Sequence, residues 1–511
     1  MRSLSLFALV TCLLLAAHPL SGFSPLDKPT SFSIQQETSF GQSVFLTGDT
    51  LALGVEDPLR AIKLSPHAYP TWRATIALPP GETVNYRYIL RTDSGPVFSE
   101  PANAIPIEGS ATSLIVPGTP APPRSGTLRY FSGATSPVLV ILDEDGAQQR
   151  LPMVPEGPGR EAGEQLFTAS LSDLPPVTGN RGRWRFRIDL GGGDADTPQG
   201  EPSYETVLST LWLQDGQIYD YKPAPSVSPS RVLKIPNFGE ALASRPLYIY
   251  LPRGYAEHTE RRYPVLFMHD GQNVFQAFVQ DSFAGSWRAD EAADRLIAGG
   301  LIQELIIVGV ANGQGDRIEE YLPPYVSFVR PTVNIPAGRA DETFAFYRDE
   351  VTSHVEATYR TLPGRDNRAT AGSSLGGLFT AYIAWEHPDF ARHHAALSTS
   401  YWITQEGDGG PMETIEKFRT ESPRDIRLWI DSGTEGSTQD GLSDTYTARD
   451  ALLQNGYILG SDLWHHVHHG GGHNEPSWAS RFPLVLEFLF PILAGNQPDP
   501  DDDQATAWLT H

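Results

Sequence analysis

Residues Ala371-Gly372-Ser373-Ser374-Leu375-Gly376-Gly377 fit the pattern Gly-x-Ser-x-Gly, with Ser374 at its centre. In a nucleophile elbow a strand turns so sharply into a helix that the serine hydroxyl stands clear of both. Glycines flank the serine because a side chain there would collide with the strand or helix alongside. Gly and Ser are common residues, so the five positions carry little weight without their setting. Here Arg368 to Gly372 supply a strand and Leu375 to Tyr382 a helix. The helix N-terminus lies directly behind Ser374, where backbone N–H groups and the helix dipole favour a developing negative charge.

Around this stretch, residues 228–494 alternate short apolar runs with helical periodicity. Tyr248–Leu251, Pro264–His269, Leu305–Val310, Arg368–Ala371 and Ile426–Asp431 read as strands, and Arg288–Ala298, Asp341–Tyr359, Leu375–Glu386 and Asp444–Asn455 as helices. That alternation predicts an α/β domain with a doubly wound, mostly parallel sheet. Ser443 is expected to cap the last of these helices and Gly456 to stop it.

A serine hydroxyl is a poor nucleophile until a base takes its proton. Of the 14 histidines, His473 stands out in Gly470-Gly471-Gly472-His473-Asn474-Glu475, after an apparent strand from Asp462 to His468. The chain order serine, acid, histidine is that of an α/β-hydrolase. The acid is sought in the loop after Trp429-Ile430-Asp431-Ser432-Gly433-Thr434. Glu435 is closest to the strand end. Asp440 is better spaced ahead of the next helix and is slightly preferred. Asp431, inside the strand, reads as structural, and a Ser–His dyad without a firm acid is the alternative. The oxyanion donors are expected to be the N–H of Leu375 and the backbone N–H of Gln272, in the loop after Pro264–His269. Trp402 reads either as a pocket wall or as core. In His465-His466-Val467-His468-His469, alternate residues face opposite sides of a strand, so the histidines do not converge on one ion. No metal and no cofactor is expected.

The same half of the chain resembles the putative-esterase family of α/β-hydrolases, which includes enterochelin, feruloyl and acetylxylan esterases, S-formylglutathione hydrolases and mycolyltransferases. The matching landmarks are Tyr250-Leu251-Pro252-Arg253-Gly254-Tyr255, Arg262-Tyr263-Pro264-Val265-Leu266, Asp270-Gly271-Gln272-Asn273 and Trp287. They continue through Gly309-Val310-Ala311-Asn312, Arg317, Glu320-Tyr321, Tyr359-Arg360-Thr361, the elbow, Gly472-His473-Asn474-Glu475 and Trp478. The resemblance implies that Ser374 and His473 are the nucleophile and base and that Asp270-Gly271-Gln272 is the oxyanion loop. The chain departs from the family at the acid, where the loop after Gly433-Thr434 is longer.

The N-terminal half reads differently. From Phe32 to Pro117, alternating apolar runs broken by Gly and Pro predict an all-β sandwich over 30–118. It resembles the family 20 starch-binding modules through Phe40-Gly41-Gln42-Ser43-Val44, Leu51-Ala52-Leu53-Gly54, Pro70-Thr71-Trp72 and Leu78-Pro79-Pro80-Gly81-Glu82-Thr83-Val84-Asn85-Tyr86-Arg87-Tyr88. The tryptophans that such modules usually carry are replaced by Val55-Glu56-Asp57 and by Val97-Phe98-Ser99-Glu100-Pro101, which leaves only weak glucan binding to be expected. Trp72, within a strand, reads as core. A proline-rich linker, Gly118-Thr119-Pro120-Ala121-Pro122-Pro123, leads into a second sandwich over 124–222, immunoglobulin-like in outline. The Gly191–Thr197 run lacks the ligand spacing of a calcium loop and reads as a hairpin.

The formal charge of −23 over 511 residues, with only five lysines, excludes a phosphate-rich partner such as nucleic acid. Met1-Arg2-Ser3 and the apolar run Leu4–Ala17 read as a secretory signal peptide within 1–23, too short for a comfortable membrane span. Cys12, the one cysteine, lies in that run, so no disulfide or thiolate metal site is expected. No later run is long enough to span a membrane, and 495–511 reads as a solvated acidic tail. These features predict a secreted or periplasmic serine esterase acting on a carbohydrate-linked or aromatic ester. An inactive carbohydrate-binding protein and an acyltransferase to a sugar acceptor are the alternatives.

Overall fold

Eight strands make the largest sheet: β1 (Arg231–Phe238), β2 (Arg245–Leu251), β3 (Val265–His269), β4 (Ile306–Val310), β5 (Arg368–Ser373), β6 (His393–Leu397), β7 (Arg427–Gly433) and β8 (Leu463–His468). The computed structural model describes residues 27–92, 104–120, 122–143, 147–175, 182–198, 201–330, 333–405 and 410–492. The signal-peptide segment with Cys12, the Val97–Pro101 stretch and the acidic tail lie outside the described residues.

The sheet order is β1-β2-β4-β3-β5-β6-β7-β8. Only β2 runs against its neighbours, and every pair from β4 through β8 is parallel. Parallel strands are covered on both faces and so read as unbroken apolar runs. Val-Leu-Phe-Met-His in β3 and Ile-Ile-Val-Gly-Val in β4 are buried throughout. Alternate residues serve opposite faces. Val265 and Phe267 pack with Phe344, Val351, Leu378 and Phe379. Leu266 and Met268 pack on the other side with Ala293, Leu296, Trp478 and Phe482.

The helices that supply these layers are α1 (Ala289–Ala298), α2 (Ala340–Phe346, continued to Thr358 through a π turn), α3 (Leu375–Glu386), α4 (Glu413–Thr420), α5 (Leu442–Gln454) and α6 (Glu475–Leu489). α5 begins earlier than expected. Gly441, at φ 72°, turns the chain out of the 3-10 turn Gln439–Gly441, so Leu442 opens the helix and Ser443 is inside it. Gly456, at φ 102°, follows the C-terminus of α5.

The N-terminal β-sandwich pairs a three-stranded sheet (Lys28–Gln35, Thr71–Leu78, Ser65–Ala68) with a five-stranded one built on Gln42–Gly48 and Thr83–Thr92. Trp72 is core, 3% exposed, and its indole donates to the Gln36 carbonyl at 2.8 Å. Residues 124–219 form two further five-stranded sheets around Leu128, Phe167, Trp184, Phe186 and Leu211. Their Asp194–Asp196 strand returns along Trp184–Gly191 as a hairpin, and Asp196 accepts from the hydroxyls of Tyr130 and Tyr204.

Neither N-terminal unit is merely tethered. Arg183 pairs with Glu487 of α6 at 2.5 Å, and Tyr221 donates to the buried carboxylate of Glu304 at 2.9 Å. The core of the first sandwich runs without a break into that of the C-terminal half: Phe32, Val44, Leu64 and Trp72 share one cluster with Trp385, Ile415, Tyr457 and Leu463.

Candidate active site

β5 ends at Ser373, α3 begins at Leu375, and Ser374 between them has φ 59° and ψ −121°. That backbone state is costly for any residue with a Cβ and persists only where its surroundings enforce it. The neighbouring glycines are fixed by crowding. A Cβ on Gly372 would sit 2.7 Å from the Gly376 backbone, and one on Gly377 would sit 2.8 Å from the Leu397 carbonyl oxygen. The turn can therefore close only with glycine at these positions.

The Ser374 hydroxyl lies 3.2 Å from that of Ser400, and the Ser400 N–H donates to the Ser374 carbonyl at 3.1 Å. Among the described residues no hydrogen bond joins Ser374 to His473. Leu375 is the first residue of α3, so its N–H has no acceptor within the helix. Gln272 is the middle residue of the turn Gly271–Asn273 after β3, and β3 lies beside β5. Asp270 opens that turn at φ 55° and is clamped by Arg317 at 2.6 and 2.8 Å and by the Asn312 amide at 2.6 Å. Gln272 also accepts from the Asn312 N–H through its side chain, at 3.3 Å.

On the other side of the elbow, His473 Nδ1 lies 2.5 Å from Asp440 Oδ1. The Asp440 side chain is fully buried, and that of His473 is about half exposed. Asp440 Oδ2 accepts from the Ser398 hydroxyl at 2.6 Å and from the Gly433 N–H at 2.5 Å. Burial alone pushes the Asp440 carboxyl upward. The bonds from His473, Ser398 and Gly433 outweigh it and hold the group below the ordinary carboxylate range.

Ser398 is itself held, accepting from Trp478 Nε1 at 2.8 Å and from Arg481 Nη2 at 2.6 Å. Arg481 grips Asp431 through two bonds of 2.8 and 2.9 Å, and both side chains are buried. Asp431 is thus a buried partner of Arg481 within its strand. Neither Arg481 nor Ser398 is legible as a site residue in the sequence. The trace of Ser398 is Ser398-Thr399-Ser400 directly after β6, and Arg481 carries no local signal because its partners are remote in the chain.

Glu435 is exposed, and its N–H donates to the Gly471 carbonyl at 2.9 Å. The loop that carries His473 is anchored there and at Thr434, whose hydroxyl accepts from the Gly470 N–H at 2.9 Å. The four histidines before it go separate ways. His465 packs on the Tyr446 ring, His466 on Trp429, His468 faces Arg481, and His469 Nε2 donates to the Leu59 carbonyl at 2.8 Å. Trp402 is half exposed, with the Phe328 ring edge-on at 6.1 Å.

The sheet order and the strained elbow define an esterase-like hydrolase domain. Residues 242–489 match the family described as putative esterase, and residues 28–112 match the starch binding domain, as both resemblances implied. By that match the C-terminal domain is similar to the esterases of that family. An alpha-amylase of Streptomyces violaceus is 39% identical over 70 residues, 14% of this chain and 12% of the amylase. An endo-1,4-beta-xylanase/feruloyl esterase of Xylanibacter ruminicola is 27% identical over 161 residues, 31% of this chain and 20% of that protein. The chain thus spans a fifth or less of these two relatives. A solved ferulic acid esterase is 21% identical, with a TM-score of 0.40 over 51% of this chain and 97% of its own.

Proposed function

We propose that the protein is an exported serine esterase in which Ser374, His473 and Asp440 act together through an acyl-enzyme. The observation that carries this reading is the Asp440–His473 pair at 2.5 Å beside a serine held at φ 59° at the head of a helix. With Nδ1 donating to Asp440, the imidazole presents Nε2 as the base. The Ser374 hydroxyl turns from Ser400 to His473 Nε2, gives up its proton and attacks the ester carbonyl. The developing oxyanion is received by the N–H groups of Leu375 and Gln272. His473 then protonates the departing alcohol, and water releases the acyl group by the reverse sequence.

The substrate class we infer is a carbohydrate-linked or aromatic ester. The starch binding domain match and the similarity to a xylanase/feruloyl esterase support it, as does the half-exposed Trp402 face two residues beyond Ser400. Weak glucan binding by the N-terminal sandwich fits its buried Trp72 and its exposed Tyr69. Export rests on the reading of residues 1–23, and among the described residues no helix is long and apolar enough to cross a membrane.

The test is Ser374→Ala assayed on p-nitrophenyl esters, with a panel of acetyl-xylan, methyl ferulate and catecholate esters for the wild type. Loss of turnover in the variant is expected, and undiminished turnover overturns the assignment.

A further inference from the structure

We propose that the N-terminal sandwich is a positioning part of the esterase site: it braces the two segments that carry Asp440 and His473. This rests on the assignment of those residues made above.

The first contact is on the histidine loop. His469 Nε2 donates to the Leu59 carbonyl at 2.8 Å, four residues before His473. The intervening Gly470-Gly471-Gly472 is a sequence with much conformational freedom to lose. Thr434 and Glu435 hold that loop from the C-terminal domain, and Leu59 holds it from the sandwich. The Leu59 turn is itself fixed, since the Leu59 N–H donates to Asp57 Oδ1 at 2.9 Å and Arg91 donates to the Pro58 carbonyl. Burial lowers the His469 pKa and so disfavours its charged form.

The second contact is on the acid. Phe45 and Ile89 of the sandwich close over Leu442 and Tyr446 of α5, and all four are buried. Leu442 is two residues beyond Asp440. Lys63 Nζ sits 4.4 Å over the Tyr446 ring, and the Ala77 N–H donates to the Leu459 carbonyl at 2.9 Å. The sandwich therefore touches α5, the segment that leads into β8 and the loop that leaves it. Small displacements of a catalytic group reduce turnover steeply, so a brace on both partners acts on kcat and not on substrate affinity.

The experiment measures kcat and KM for p-nitrophenyl acetate across pH, in the full chain, per active site titrated with a fluorophosphonate. Counting titrated sites removes any unfolded fraction. His469→Ala and Phe45→Ala are expected to lower kcat roughly ten-fold or more, with KM within two-fold and the acid limb of the kcat profile displaced. His469→Gln, whose amide N–H can still reach Leu59, is expected to stay within about two-fold of wild type on the same grounds. If His469→Ala and Phe45→Ala both keep wild-type kcat per site and the same pH profile, the brace is overturned. If wild type neither turns over esters nor reacts with the fluorophosphonate, the functional assignment beneath it fails instead.

Discussion

His473 Nδ1 and Asp440 Oδ1 lie 2.5 Å apart although 33 positions separate them in the chain. Two loops at the ends of adjacent parallel strands, β7 and β8, deliver them to each other. Replacing Asp440 by Asn removes the acceptor that fixes the imidazole tautomer. We expect kcat on p-nitrophenyl acetate to fall about 10³- to 10⁴-fold with little change in KM. Glu435→Gln, at an exposed side chain, is expected to stay within about three-fold, consistent with the small effect of most exposed substitutions. Steady-state kinetics of the two variants decides between the carboxylates.

Arg481→Met strips the buried Asp431 of its bidentate partner. An uncompensated buried carboxylate costs about 3–5 kcal/mol, so the urea midpoint should drop accordingly. The double variant Arg481→Met with Asp431→Leu should recover much of that loss, because it removes both charges together. Equilibrium urea unfolding measures both.

Gly433→Ala tests the close approach of the two loops. A Cβ there would meet the Gly471 carbonyl oxygen at 2.0 Å and Asp440 Oδ2 at 3.1 Å. Neither partner is free to withdraw, since Gly471 O accepts the Thr434 and Glu435 N–H groups. Turnover should fall at least ten-fold, as expected for a displaced catalytic group, while the Ser374→Ala variant retains the wild-type melting temperature to within about 3 °C, as most single changes away from the core do.

Stability should decline as the pH falls below about 6.5. Burial holds His269 and His394 down to about 3 and His466 down to about 4, so the native state leaves them unprotonated where the unfolded chain takes up protons. The unfolded state thus binds more protons, and each such histidine removes about 1.4 kcal/mol per pH unit in that window. Asp462, raised to about 6 by burial, works the other way below its folded pKa because the native state binds its proton first. Burial also holds His393 and His465 well below their ordinary value, so the histidines outweigh Asp462 and the other carboxyls that burial raises, Asp294, Glu304, Asp444 and Glu475. Urea midpoints at pH 7 and pH 5 should differ, with the lower value at pH 5.

Much of the C-terminal fold is legible because β3 and β4, covered on both faces, spell continuous apolar runs, and because the Ser374 elbow demands glycines at fixed places; β6, which opens with two histidines, gives no such run. The acid was harder to read. Asp440 sits at φ 53° inside a 3-10 turn, and sequence spacing does not say which carboxylate of an extended loop is turned inward. Ser443 is not the cap its sequence position suggests for a related reason: the left-handed Gly441 starts α5 at Leu442. The docking of the sandwich is not legible in the sequence, although Val44-Phe45-Leu46 is buried throughout in the structure.

The bond between Leu59 and His469 spans 410 positions. At synthesis rates of about 5–20 residues per second, the N-terminal sandwich waits about 20–80 s for the partner that covers Phe45. During that interval the nascent chain displays a sticky apolar face. Its yield in a cell should therefore depend on how fast translation proceeds and on whether a holding chaperone shields that face until α5 arrives.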